Sequence, residues 1–170
     1  MGRKFLVIAA CALLSTPFVY AQTPATTCPS TKTLDDLIKA LDDAVSGPGD
    51  KDRTCMRQLF VPDGRLVPIG KSKDGSIAAR ILTVEDWINR VKARGSEPFY
   101  EHQIKYSTDV YGNLAHLWST YEIRATTDGK VEMRGINSIQ AAFNGTEWKA
   151  VEVSWQAETS DTPIPQKYLP

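Results

Sequence analysis

Residues 112–145 read GNLAHLWSTYEIRATTDGKVEMRGINSIQAAFNG, and the punctuation of this run decides the fold. Gly112-Asn113, Asp128-Gly129 and Asn144-Gly145 are hairpin dipeptides set sixteen residues apart. Glycine and asparagine accept the positive φ that a tight turn between twisted strands requires. Between the turns, apolar and polar residues alternate with the period of a strand. The turns divide 99–157 into four long antiparallel strands, a meander.

Upstream of Pro98 the grammar is helical. Thr33 is placed to cap a helix whose stripe is Leu34, Leu37, Ile38, Leu41 and Val45, ended by Gly47-Pro48. A short second helix, about Lys51 to Phe60, buries Met56, Leu59 and Phe60. Pro62-Asp63-Gly64 turns the chain into an extended run, Arg65 to Ile69, which Pro68 assigns to a sheet edge. Asp74-Gly75 marks a loop or hairpin. Thr83 starts a third helix with Glu85 and Asp86 in its positive first turn, and Gly95 ends it. The expected fold class is α+β, three N-terminal helices packed on a curved antiparallel meander sheet.

The turns also set a register. A two-residue turn at 112–113 places Tyr111 opposite Leu114, Ile104 opposite Tyr121 and Tyr106 opposite Ser119. A three-residue loop at 127–129 pairs Glu122 with Arg134 and Arg124 with Glu132. A two-residue turn at Asn144-Gly145 sets Asn137 opposite Glu152. One face then carries Ile104, Val110, Leu117, Ile123, Met133, Ile139, Phe143 and Trp148, and the helices cover it. Crossing that face is a polar row, Tyr106, Ser119, Asn137 and Glu152. Tyr121 lies beside it, and Gly135 leaves room above the sheet. His102 lies near the rim of the same face. A buried carboxylate needs hydrogen-bond partners or a raised pKa, so Tyr106, Ser119, Tyr121, Asn137 and Glu152 form the expected ligand-binding set. Two alternatives stand beside it. The row can be a satisfied network that binds nothing. A bulge in the last strand would turn Glu152 outward and bring Val151, Val153 and Trp155 in.

The opposite face carries Trp118, Ile136, Val151, Val153 and Trp155 as an apolar patch rimmed by charge, the expected interface of a homodimer packed sheet to sheet. The alternative cover is the Pro-rich tail, 159–170.

The chain has 170 residues, with twenty basic against twenty acidic side chains. Met1 to Ala21 has a basic start, an apolar run too short to span a bilayer, and Val19-Tyr20-Ala21 before Gln22. This order is that of a secretory signal, so the protein is expected outside the cytoplasm, periplasmic or extracellular. A Thr- and Pro-rich segment, 22–32, is read as loose, and 33–158 as one domain. Removing Arg3 and Lys4 with the signal leaves eighteen basic residues against twenty acidic, a net charge of −2. That balance draws the chain to neither nucleic acid nor an anionic membrane, and no second stretch is apolar enough to insert. The mature cysteines, Cys28 and Cys55, have one way to pair in an oxidising compartment and are expected to form a disulfide.

His102 and His116, on opposite faces by this register, make no metal site, and no Gly-rich phosphate loop, nucleophile elbow or dinucleotide fingerprint is present; no cofactor is expected.

The chain resembles the nuclear transport factor 2-like superfamily, the SnoaL-like cone. The resemblance rests on Leu59-Phe60-Val61-Pro62-Asp63-Gly64, Gly112-Asn113-Leu114-Ala115-His116, Arg134-Gly135-Ile136-Asn137-Ser138-Ile139-Gln140 and Trp148-Lys149-Ala150-Val151. It implies a cone between sheet and helices. Relatives use such a cone for acid–base isomerisation, dehydration or hydrolysis, or for binding alone, with catalytic sets that differ between members. The expectation is an exported protein binding a small, largely apolar molecule. One alternative is an isomerase- or dehydratase-type enzyme with Glu152 or His102 as base and Tyr121 or Tyr106 as proton donor. Another is a non-catalytic dimeric interaction module.

Overall fold

The computed structural model describes residues 27–170; the stretch expected to be an export signal, 1–21, and the rest of the segment before Thr27 lie outside the described residues. Helix α1 (Leu34–Val45) begins at Thr33, whose side chain accepts from the Asp36 amide while Asp36 accepts from the Thr33 amide. That reciprocal box satisfies two otherwise unpaired donors. After the two-residue strand β1 (Gly47–Pro48) comes the short helix α2 (Thr54–Leu59). Strand β2 (Phe60–Lys71) follows, then β3 (Ile77–Ala79) and β4 (Leu82–Thr83). Helix α3 (Val84–Lys92) repeats the capping box with Thr83 and Asp86. The meander follows as expected: β5 (Pro98–Tyr111), β6 (Leu114–Arg124), β7 (Val131–Phe143) and β8 (Trp148–Ala157). The helices bury Leu37, Leu41, Met56, Leu59, Trp87 and Val91 against Leu117, Ile139, Ala141 and Val153 of the sheet. Each such large apolar side chain contributes about 1.5–3 kcal/mol relative to exposure.

The sheet is mixed, in the order β1-β5-β6-β7-β8-β2-β3, with β4 also on β2. Strand β2 runs parallel to β8, and it is not an edge. Pro68 is tolerated because it faces the interruption between β3 and β4, where Arg80 donates its amide to the Pro68 carbonyl at 3.1 Å. A missing N–H breaks no ladder bond there. Pro62-Asp63-Gly64 is not a turn before the strand but an irregularity within it, with Asp63 at φ 61.

Three bulges reset the register. In β5 the extra residue is Ile104, so Gln103, not Ile104, opposes Tyr121, while Tyr106 still opposes Ser119. In β7 it is Glu132, so Arg124 meets Val131. Glu122 does oppose Arg134, but the ion pairs are Glu122–Arg124 along β6 and Arg134–Glu158. In β8 it is Val151. The turn before β8 is also longer than two residues: Phe143 pairs with Trp148, and Asn144 Oδ1 accepts from the amides of Thr146 and Glu147. Together the longer turn and the bulge put Gln140, not Asn137, opposite Glu152, and Asn137 opposite Trp155. Bulges bend strands and strengthen their twist, which curves the sheet around the helices.

The expected outer patch is therefore split. Val153 and Trp155 face the helices, and Val151 protrudes at its bulge. Trp118 and Ile136 stay outside, where the tail covers them. The Tyr168 ring packs at a tilt against Trp118, centroids 5.9 Å apart, the Tyr168 carbonyl accepts from Thr120 at 2.7 Å, and Ile164 is buried. The Thr- and Pro-rich start is anchored at its end as well, since Thr31 is fully buried and exchanges hydrogen bonds with Trp148. Cys28 and Cys55 are joined, with Cα atoms 5.2 Å apart.

Two outcomes are expected. Replacing both cysteines by serine lowers stability by about 3–4 kcal/mol, the loop-closure contribution of a cross-link of this span, read by urea unfolding. Truncation after Thr159 exposes Trp118 and Ile136, and sedimentation then shows the shortened chain self-associating at concentrations where the full chain does not.

Candidate functional site

Between the sheet and the helices lies a cavity of about 370 Å³. Its wall is largely hydrocarbon and aromatic: Ile38, Leu41, Trp87, Phe99, Ile139 and Trp155 among others. Asp42 of α1, Glu101 and Gln103 of β5, Tyr121 of β6 and Asn137 of β7 bring polar groups to it.

These polar groups form a chain of bonds. Gln103 donates its backbone amide to Asp42 Oδ2 at 3.0 Å and its side-chain amide to Asp42 Oδ1 at 2.7 Å. The same Nε2 donates to Glu101 Oε1 at 3.2 Å. Asn137 Nδ2 donates to that oxygen at 3.0 Å. Behind them the fully buried Ser119 donates its hydroxyl to Gln103 Oε1. No hydrogen bond to Glu101 Oε2 or to the Tyr121 hydroxyl is formed by the described residues.

Burial among hydrocarbon disfavours the charged form of an acid, and a neighbouring acid adds to the effect. Burial, opposed by the Gln103 bonds, raises Asp42 to about 6. Burial and the charge of Asp42 raise Glu101 to about 7, against the amides of Asn137 and Gln103. Burial, with Glu101 nearby, also holds the Tyr121 phenol well above its ordinary value. Near neutral pH the two acids therefore hold a proton that isolated carboxyls would have lost.

The structure brings Ser119, Tyr121 and Asn137 together as expected, with Tyr121 and Asn137 on the cavity. Gly135 leaves no empty room; the Tyr121 ring, 1% exposed, lies over it so closely that a Cβ there would overlap the hydroxyl. Tyr106 points to the helices but away from the cavity, 40% exposed, donating to Asp35 at 2.7 Å. Glu152 faces outward and accepts from Ser154 at 2.6 Å, because the Val151 bulge reverses its side; the turn, longer by two residues, leaves the side unchanged. His102 opposes Glu122 and is exposed; the Ile104 bulge places it, like His116, on the outer face. Neither Glu152 nor His102 can act in the cavity.

Sequence reasoning missed Glu101, Gln103 and Asp42. Asp42 left a signal: it lies four residues after Ile38 and three before Val45, an acid within the apolar stripe of α1. Glu101 and Gln103 left none, since one unmarked bulge decides which way they point.

No family model matches the chain, and no curated protein does. Solved structures match its fold. The beta subunit of a candidate aromatic-ring-hydroxylating dioxygenase from Novosphingobium aromaticivorans is 19% identical over 77% of this chain and 94% of its own, with a TM-score of 0.55. A nuclear transport factor 2-like protein of unknown function from Shewanella baltica is 11% identical over 75% and 92%, at 0.54. Another from Silicibacter pomeroyi is 16% identical over 74% and 92%, at 0.52. The chain has the nuclear transport factor 2-like fold.

The raised acid gives a pH dependence of defined sign. Glu101 binds its proton more tightly folded, at about 7, than unfolded, at 4.5. Between those values the native state holds more protons, so its contribution to stability falls as pH rises through that window. Glu101→Gln removes this dependence. The variant's melting temperature should exceed the parent's at pH 8, and the gap should close by pH 4.5.

Proposed function

We propose that this chain is an exported protein that binds a small, largely apolar molecule in the cavity between helices and sheet. The observation that carries the reading is the division of the cavity wall. Aromatic and aliphatic side chains make up most of it, while Glu101, Asn137 and Tyr121 converge from neighbouring strands. Apolar enclosure supplies affinity, and a few convergent polar groups supply orientation. Export is supported by the basic, apolar, small-residue order of Met1 to Ala21. It is supported too by the Cys28–Cys55 disulfide, a bond that persists in oxidising compartments. No helix among the described residues is long and apolar enough to cross a membrane.

A second reading is favoured by the Glu101 Oε2 and the Tyr121 hydroxyl, which have no protein partners among the described residues. A carboxylate poised near neutrality can take a proton from a bound molecule, and a phenol that resists ionisation can donate a hydrogen bond to the oxygen that becomes charged. In that acid–base reading Glu101 takes the role that the sequence suggested for Glu152 or His102.

Titration with naphthalene, a neutral apolar probe, tests the binding reading. The parent's melting temperature should rise with probe concentration, by the equivalent of about 2.7 kcal/mol at a hundred times the dissociation constant. Val153→Trp, which fills the cavity from the sheet side, should melt cooperatively and lose the response. A parent that does not respond, or a variant that responds equally, refutes the cavity as the site.

A further inference from the structure

Resting on the cavity reading above, we infer that the occupant is a cation: an apolar molecule carrying a protonated amine, its nitrogen against the free oxygen of Glu101. The grounds are an inventory of donors and acceptors. Both amide hydrogens of Gln103 are committed, to Asp42 and to Glu101. One hydrogen of Asn137 goes to Glu101, and the Ser119 hydroxyl goes to Gln103. Glu101 Oε2, with no donor among the described residues, is left to face a ligand. The ion pairs of the described residues lie elsewhere, and none involves Asp42 or Glu101.

The charged groups around the two acids do not neutralise them. Asp43 adjoins Asp42 on α1 and adds negative charge, while His102, on the outer face of β5, acts on Asp42 from behind the strand. Arg94, beyond the end of α3, is the cavity's cation, but it lies 4.0 Å over the Phe99 ring, and the charge it feels is that of Glu97. Tyr121, facing from β6, is a donor without charge. A buried carboxylate pair lacking a counter-ion is unfavourable, and with no protein cation beside them the two acids favour retaining protons. An ammonium offers both the missing charge and the missing donor. A carboxylate ligand would meet two acids. A neutral alcohol would offer the donor alone. The aromatic wall, Trp87, Phe99 and Trp155, suits the ligand's hydrocarbon and its cationic end alike.

Three probes with one hydrophobic body separate these cases: 3-phenylpropylamine, 3-phenylpropan-1-ol and 3-phenylpropanoate, titrated calorimetrically into the full chain. At pH 8 the amine should bind at least tenfold more tightly than the alcohol, and the carboxylate weakest. Amine affinity should fall about tenfold from pH 8 to pH 5 as Asp42 and Glu101 take up protons, while the amine, with a pKa of about 10, stays charged. Glu101→Gln should level amine and alcohol. Asp42→Asn should narrow their ratio and serves as the second variant if the first does not melt cooperatively. Equal binding of amine and alcohol by the parent, or tightest binding by the carboxylate, overturns the cation and leaves the cavity reading standing. An amine preference that survives in both variants overturns it too, because the charge then comes from surface acids. No binding by any of the three overturns the inference and the cavity reading together.

Discussion

The candidate site depends on one extra residue in β5. With Ile104 bulged out of the ladder, Gln103 and Tyr106 both point toward the helices although an odd number of positions separates them, and Lys105 points away. Without the bulge, Glu101 and Gln103 would sit on the outer face and His102 would take their place. The bulge is clamped from both sides. Inside, Asp42 holds the backbone and side-chain amides of Gln103. Outside, Lys105 donates to the Leu169 carbonyl at 2.6 Å, so the tail secures the far side of the distortion. Bulges collect beside functional sites because they re-aim a side chain without moving the strand's neighbours.

Having turned two acids inward, the fold must tolerate them. It does so with neutral amides. Gln103 bridges Asp42 and Glu101 through a single nitrogen, and Asn137 supports Glu101 from β7. Burial shifts both acids upward, and neutral donors, which stabilise a carboxylate less than a guanidinium would, do not offset it. The structure does bury a guanidinium, Arg53, but spends it on the carbonyls of Gly49 and Pro48, at 2.9 and 3.0 Å, where β1 meets α2. The uncompensated acids are thus a property of this cavity, not of a chain short of arginine.

What could be read in advance was periodic. The helices and their caps at Thr33 and Thr83, the four-strand meander, the Gly112-Asn113 turn and the Cys28–Cys55 pairing follow from local chemistry that the residues carry in themselves. The sidedness of β5 and β8 does not. Nothing in Ile104 or Val151 marks it as a bulge, since β-branched residues suit the ladder as well as the distortion. Asn144-Gly145 is the sequence of a two-residue turn, yet the Asn144 side chain closes a wider one, held by Glu147 and Trp148 against Thr31, far away in the chain. Each single-residue slip reverses every position beyond it. Asn137, Ser119 and Tyr121, on the strands between the slips, landed where the alternation put them, whereas Glu152 and His102, past the slips, did not.

The same slip in β8 bears on assembly. Had Val153 and Trp155 faced outward, the sheet would carry an apolar surface too broad for a short tail to cover, and a second subunit would be the economical cover. With both turned in, Trp118 and Ile136 remain on the outer face, and Ile164 and Tyr168 are enough to meet them. The tail returns to the sheet by a short path, since Glu158, directly after β8, binds Arg134 and the Ile164 amide and so directs the chain across β7 toward β6. Cover of Trp118 and Ile136 is then local in sequence. The same tail that covers Trp118 also reaches Lys105, the residue after the Ile104 bulge.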